Sequence, residues 1–331
     1  MPDLAEPAVH PVRPKNQLSR QKKPGFFIVG APKCGTTSLD YYLSQHPGIY
    51  VARKEMHFFG ADLAFGPQFY RRDRGAYLAE FDNWEDQICA GECSVWYLLS
   101  RQAAAEIKAF NPEARIIIML REPVAMLNSL FHQFRADGNE NLATFEDALA
   151  AENDRKAGRR LSRQTYLRQA LDYRSTARFT DQVHRYFDVF GRDRVHVIIY
   201  DDLVADTLGV FQKTLEFLNV PPSPKNINFA AINGHQTVKS TALRAFLQDP
   251  LVRGTAISLR KRVPTPVFEL IRHVGLQLCN MNGKEAKRNP MGSDLERQIR
   301  HEFAPEVERL GELLNRDLTH WNKPGLNHER V

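Results

Sequence analysis

Cysteine is scarce in this chain, with four among 331 residues, at positions 34, 89, 93 and 279. They form neither a C-x-x-C pair nor a cysteine and histidine cluster with metal-ligand spacing, so the sequence carries no signal for a bound metal. They read as free thiols. Cys89 and Cys93 lie four apart in a strand-like run and share a face, which suits small core residues better than a disulfide. Cys34 sits inside a glycine-containing loop whose field is expected to lower its thiol pKa. Long apolar runs are missing too: nothing approaches the ~18 residues of a membrane span, and the start of the chain lacks the apolar core of a secretory leader. The expected compartment is therefore the cytoplasm. Internal repeats and sustained heptads are also lacking.

What is present is an ordinary globular composition, 43% hydrophobic and 25% charged, enough for one large α/β domain or two smaller ones. The net charge of +6 is unevenly placed. Residues 1–24 hold five Lys/Arg against two Asp/Glu, and 253–288 hold eight against two, so the remainder is close to neutral. The plain reading is solvated surface; the sharper one is attraction to an anionic substrate, a polysaccharide or a membrane face. Nucleic acid is not an expected partner.

Residues 1–24 contain five prolines and few large apolar residues, a composition that predicts a disordered basic tail. From Gly25 onward, apolar runs at Phe26–Val29, Ile49–Ala52, Gln87–Cys93, Arg115–Leu120 and Val195–Tyr200 alternate with helical stretches. That alternation predicts an α/β, P-loop-type three-layer fold, with a mostly parallel five-stranded sheet flanked by helices, spanning 25–325. Thr36, Thr37 and Ser38 open the first helix and His46-Pro47-Gly48 closes it; Ser100 and Asn111-Pro112 bracket another. Thr144 with Asp147 resembles a capping box. Tyr166–Phe190 reads as one amphipathic helix and Thr207–Leu218 as another. No strand signal follows Tyr200. The basic 253–288 segment reads as a peripheral helical insertion, and 293–321 as a closing helix ending near Trp321.

The most informative stretch is F-F-I-V-G-A-P-K-C-G-T-T-S-L, Phe26 to Leu39, a buried strand opening through a loop into a helix. Backbone N–H groups and the positive end of the helix dipole converge there, which makes an anion site. Gly30 and Gly35 keep the spacing of the nucleotide-binding P-loop, yet Thr36 stands where that pattern puts lysine, and Lys33 lies inside the loop. A triphosphate needs lysine on its terminal phosphates and an acidic group on magnesium. The displaced lysine points away from ATP and GTP. A donor with one 5′-phosphate joined to a sulfuryl group has less charge to neutralise.

With these residues the chain resembles the sulfotransferases that use 3′-phosphoadenosine 5′-phosphosulfate (PAPS), in particular bacterial members related to the heparan sulfate branch. The resemblance spans roughly Gly25 to Trp321. It implies that Lys33, Cys34, Gly35, Thr36, Thr37 and Ser38 hold the 5′-phosphosulfate, with Lys33 stabilising charge on the leaving oxygen. R-I-I-I-M-L-R-E-P-V-A-M-L-N-S matches the family's 3′-phosphate element, implying Arg121 and Ser129 as its ligands. K-E-M-H-F-F, Lys54 to Phe59, matches the element that carries the catalytic base, implying Glu55 in that role and His57 as its orienting or acceptor-contacting partner. Where many relatives have G-E-K-[ST]-P this chain reads G-E-C-S-V, so Cys93 replaces a lysine; either another cation such as Lys54 compensates, or the acceptor needs less charge. Glu92 and Ser94 are candidate acceptor contacts. Lys239 is the first candidate of the closing loop and Arg244 the second; Tyr200 matches a position near the adenine.

The implied activity is metal-free, in-line sulfuryl transfer from PAPS to a hydroxyl or amine of a carbohydrate, glycolipid or small molecule. Two alternatives stay beside it: a P-loop small-molecule kinase using Asp201 or Asp202 for magnesium, and a non-catalytic anion- or membrane-binding protein docking through 253–288. Arg155, Arg159, Arg160 and Arg163 read either as a solvated helix face or as contacts for an acidic glycan.

Overall fold

The computed structural model describes residues 22–66, 72–223, 226–229, 236–238, 283–285 and 291–323. Five strands, β1 (Phe26–Gly30), β2 (Ile49–Val51), β3 (Cys89–Cys93), β4 (Arg115–Leu120) and β5 (Val195–Ile199), form one sheet in the order β2-β3-β1-β4-β5. Every neighbouring pair is parallel. Strands of such a sheet are covered on both faces and read as continuous apolar runs. Phe26 to Val29 and Ile116 to Leu120 are accordingly all fully buried.

The crossovers carry α1 (Thr36–Ser44), α2 (Arg74–Ala79), α3 (Ala103–Phe110), α4 (Pro123–Asp137), α5 (Phe145–Ala150), α6 (Glu152–Lys156), α7 (Tyr173–Thr176) and α8 (Phe179–Phe190). After β5 come α9 (Tyr200–Ala205) and α10 (Thr207–Leu218). α1 packs on β1 and β2, α8 on β4 and β5, and α10 on β5. The closing helix, α11 (Ser293–Leu314), packs against α4 and α8. Its buried Arg300 donates to Glu122 Oε1 at 3.2 Å and to the Trp321 carbonyl. Glu122 also caps α4, accepting from Val124 N at 3.0 Å and Ala125 N at 2.6 Å. One buried carboxylate thus joins the closing helix to the residue beside Arg121.

Thr144 caps α5 as its spacing predicts, its hydroxyl accepting from Asp147 N at 3.1 Å. Other readings need correction. The segment read as one helix over 166–190 is a 3₁₀ turn at Arg168–Leu171 followed by α7 and α8. Residues 22–24 belong to the folded body and not to a tail: Lys23 Nζ donates to Phe110 O at 2.9 Å, and Pro24 O accepts from Asn111 at 2.8 Å. Strands do follow Tyr200, since β6 (Gln236–Val238) and β7 (Gly283–Glu285) pair antiparallel. β7 falls within the segment read as helical; the rest of 253–288, like residues 1–21, lies outside the described residues.

Arg155 is neither a solvated nor a ligand-facing arginine. It is buried, with Nη2 donating to the equally buried Glu140 Oε1 at 2.6 Å. Glu140 also accepts from Tyr173 OH at 3.0 Å and Leu142 N at 2.8 Å. Arg159 pairs with Asp154 at the surface, at 2.6 Å. Removing one member of a buried pair strands the other charge. Glu140→Ala is expected to lower unfolding free energy by about 3–5 kcal/mol in chemical denaturation, with Glu140→Leu/Arg155→Met recovering most of the loss. A loss under about 1 kcal/mol would show that water reaches the pair.

Candidate active site

Because all five strands run the same way, their carboxyl ends share one edge of the sheet, where ligands of open α/β sheets bind. The candidate residues follow those ends: the 30–38 loop after β1, Glu55 after β2, Ser94 after β3, Arg121 after β4 and Tyr200 after β5. A cleft of about 470 Å³ opens at the opposite, amino edge between Gly25, Arg115 and Arg194, and no candidate residue lines it.

The loop leaves β1 and enters α1 through Gly35, which has φ 85° and would place a Cβ 3.1 Å from the Tyr200 ring and from Leu203. Only glycine suits both the left-handed backbone and the close approach. Ser38 N donates to Gly35 O at 3.0 Å, so the first-turn N–H groups that helix geometry leaves without an intrahelical acceptor are those of Thr36 and Thr37. No acidic residue occupies that turn. Arg121 reaches over from the end of β4, donating to the Lys33 carbonyl at 3.5 Å, with its guanidinium 4.5 Å above the Tyr200 ring. Tyr200 therefore supports Arg121 and closes the loop from beneath. Ser129, two turns along α4, is fully buried, and its hydroxyl is not open at the surface of the site. Lys239 and Arg244 lie outside the described residues.

Cys34 departs from expectation. Its thiol is buried and donates to Pro32 O at 3.3 Å, and burial pushes its pKa up to about 12 against the fields of Arg121 and Lys33. Desolvation of a thiolate outweighs the nearby positive charge.

The second half of the site is the 54–59 segment after β2. Lys33, Glu55 and His57 all have positive φ, at 62°, 60° and 50°. Non-glycine residues adopt that conformation at a cost that the surroundings must offset, and they cluster at functional sites. The offset here comes from Glu92 on β3. Its buried carboxylate accepts from Tyr77 OH at 2.8 Å, Ser94 Oγ at 2.8 Å and Tyr97 OH at 3.1 Å. Ser94 Oγ in turn accepts from His57 N at 3.3 Å, and Tyr97 OH from Phe58 N at 2.9 Å. Glu92 and Ser94, read as candidate acceptor contacts, are thus the supports that hold this segment in place. Burial pushes Glu92 up to about 7 against the pull of those three hydroxyls.

Glu55 is partly buried, its side chain about a third exposed (34%). Oε2 accepts from Val95 N at 3.2 Å. Burial raises its pKa to about 7, while the Lys54 ammonium opposes the rise. Lys54 Nζ lies 3.8 Å from Glu55 Oε1 and donates to Thr37 Oγ1, with Thr36 Oγ1 at 3.5 Å. His57 stands beside the carboxylate with Nε2 3.7 Å from Oε2, beyond hydrogen-bond range. Its ring stacks on Phe65 at 4.4 Å, and burial, aided by Arg53, holds its pKa down near 4, so it is neutral at pH 7. Lys54, read from the sequence as a cation that could stand in for the lysine replaced by Cys93, lies beside Glu55, and the support that sequence reasoning missed is Tyr97.

A glycine cradle for an anion and a carboxylate near neutral pKa thus lie across one edge. The sequence profile of the sulfotransferase domain matches residues 23–245. The chain belongs to the sulfotransferase family. A crystal structure of a sulfotransferase from Alicyclobacillus acidocaldarius is similar to it, at 30% identity and TM-score 0.66, covering 91% of this chain and 99% of that one. The membrane-associated sulfotransferase kil1 of Dictyostelium discoideum is 32% identical over 110 residues, 33% of this chain and 22% of that protein. Human heparan sulfate glucosamine 3-O-sulfotransferase 6 is 29% identical over 114 residues, 34% of this chain and 31% of that protein. The alignments span less than half the length of these curated relatives. The chain's α/β fold with an all-parallel five-stranded sheet is shared with the similar Alicyclobacillus acidocaldarius structure. Among the described residues no helix is long and apolar enough to cross a membrane, and no cluster of side chains has the make-up of a metal site.

The raised pKa of Glu55 also bears on stability. Between its ordinary value of 4.5 and about 7 the native state holds a proton that the unfolded chain has released, so stability falls as pH rises through that window. Glu55→Gln removes the ionisation. The variant is expected to melt above the wild type at pH 8 and level with it at about pH 4, by scanning calorimetry. A gap that is equal at both pH values would mean that Glu55 titrates normally.

Proposed function

We propose that this sulfotransferase moves a sulfuryl group from PAPS, in line, to a hydroxyl or amine of a carbohydrate, glycolipid or small-molecule acceptor, with Glu55 as general base. The observation that carries this reading is the join between base and loop. A carboxylate with a pKa near 7 stands beside an ammonium that is itself bonded to the hydroxyls of the anion cradle. A base tuned close to operating pH is strong enough to take a proton while about half of it is ionised.

The residues present fit the donor. Gly35 lets the loop turn tightly against Tyr200, and Arg121 brings a second cation to the loop from β4, apart from Lys33. PAPS, when bound, supplies the sulfuryl group and departs as adenosine 3′,5′-bisphosphate (PAP). The N–H groups at the start of α1 and the hydroxyls of Thr36, Thr37 and Ser38 hold the 5′ side, and Arg121 the 3′-phosphate; Ser129, fully buried, is assigned to that phosphate by resemblance alone. Tyr200 serves by fixing Arg121, and Lys239 belongs to the 3′ side by resemblance alone. Glu55 takes the acceptor proton as the acceptor oxygen or nitrogen bonds to sulfur. Lys33 meets the electron pair left on the 5′-phosphate oxygen when its bond to sulfur breaks. Neutral His57 shapes the acceptor side with Phe65.

Carbohydrate leads the acceptor classes because relatives bear such names, among them mouse carbohydrate sulfotransferase 15, 27% identical over 252 residues. The basic 253–288 segment is a separate candidate for contact with an anionic membrane face. The kinase alternative fits poorly: Asp201 accepts from Trp321 Nε1 at 2.7 Å and pairs with His320, and Asp202 pairs with Arg316, so both proposed magnesium ligands are tied to the C-terminal segment.

Lys33→Ala and Glu55→Gln are each expected to lower sulfuryl transfer from labelled PAPS by about 10²- to 10⁴-fold. Glu55→Gln should keep wild-type PAP affinity by calorimetry, whereas Lys33→Ala should weaken it. In the wild type, kcat/KM should rise with pH through about 7 as Glu55 ionises. An acid limb near 4.5, or a Glu55→Gln rate equal to wild type, would remove Glu55 from the mechanism.

A further inference from the structure

Lys54 has three partners on two elements: Thr36 and Thr37 at the opening of α1, and Glu55 on its own segment. Its side chain is only 24% exposed, and the ammonium lies against these partners instead of extending into solvent. Its field extends to Asp40 on α1, where it opposes a burial-driven rise to about 6, and to the buried Cys93 at the end of β3. Cys93 contributes no charge there, because burial holds its thiol well above the ordinary range. Among the described residues that these contacts join, Lys54 supplies the positive charge common to the donor-loop hydroxyls and the base.

We propose that Lys54 is a second catalytic cation of the transfer, donating to the sulfuryl oxygens on the side that faces Glu55, while Lys33 serves the leaving oxygen. This assignment rests on the PAPS reading given above. The chemistry needs two positive charges at different places. Charge leaves with the 5′-phosphate oxygen, which Lys33 meets, while the sulfuryl oxygens keep their negative charge throughout and flatten into a plane between the nucleophile and the leaving oxygen. An ammonium already bonded to the loop hydroxyls and 3.8 Å from the base supports the second task without a large rearrangement. It has a further effect on the base. Glu55 is faced by Lys54 and neutral His57 on its own segment, Asp40 on α1, Glu92 on β3 and Tyr166 beyond β4. Of these only Lys54 favours the carboxylate by its charge.

The test compares Lys54→Met and Lys54→Gln with wild type in three measurements. PAP has the nucleotide and both phosphates but no sulfuryl group, so calorimetric PAP affinity should change less than about 3-fold in either variant. PAPS affinity and turnover should fall, turnover by about 10²-fold or more. In the free protein, carboxyl NMR should show Glu55 titrating above its wild-type value in both variants, since the opposing ammonium is gone. Lys54→Arg, which keeps the charge, should recover part of the turnover and the wild-type Glu55 titration. Wild-type turnover in both Lys54→Met and Lys54→Gln would overturn the assignment while leaving the PAPS reading intact. A loss of PAP affinity as large as the loss of turnover would also overturn it, because Lys54 would then only brace the loop. Absence of transfer by the wild type across carbohydrate, glycolipid and aryl alcohol acceptors would overturn the PAPS reading and this assignment together.

Discussion

Parallel pairing around β1 is the constraint on which the site depends. A parallel strand must be followed by a crossover before the next one enters, so each strand delivers its carboxyl end, and the residues just after it, to the same edge. With β1 in the middle of the order β2-β3-β1-β4-β5, its loop lies between the ends of β3 and β4. Arg121 therefore arrives from one side and Ser94 and Glu55 from the other, although 66 residues separate Glu55 from Arg121 in sequence. The rigid part of this arrangement is apolar: β1 and β4 are sealed on both faces. Polar chemistry is confined to the edge where the backbone leaves the sheet.

At that edge the fold holds strained backbone in place with a buried polar network. Glu55 and His57 adopt left-handed conformations that cost of order 1 kcal/mol or more each. The segment stays there because its N–H groups are received by Ser94 and Tyr97, whose own protons go to Glu92. Each hydroxyl both donates and accepts, so every member of the relay is satisfied, the condition under which buried polar networks rigidify a site. Glu122 has a similar function on the other flank, where one carboxylate caps α4 and receives Arg300 from α11.

Much of this was legible in the chain. The five strands show as apolar runs because central parallel strands are buried on both faces, and the glycine turn at Gly35 followed by Thr36 and Thr37 marks where β1 passes into α1. Residues whose role depends on distant partners were not legible. Arg155 has the look of a solvated helix face, since nothing in local periodicity shows that Glu140, fifteen residues earlier, waits for it in the core. Cys34 sits in a positive loop, but only the packing around it reveals that desolvation dominates. Glu92 and Ser94 resemble site residues by position and turn out to be supports. The break after the 3₁₀ turn at Arg168–Leu171 is tertiary: Leu167 bridges to Phe65, and Gln169 Nε2 donates to the Asp62 carbonyl, contacts that a helical pattern cannot register.

The tuning of Glu55 shows how the donor and acceptor halves constrain one another. Left to burial, with Asp40 adding negative charge nearby, its carboxylate would be pushed further up and would hold its proton at neutral pH; left to water it would ionise near 4.5 and be a weak base. The Val95 N–H and the Lys54 ammonium pull against burial and leave it near 7. Lys54 can do this only because Thr36 and Thr37 anchor it from the donor loop, so the basicity of the acceptor side is set partly by residues of the donor side. In the proposed transfer a sulfuryl group on that loop would share the same ammonium, so donor binding and the proton affinity of Glu55 would be coupled through Lys54.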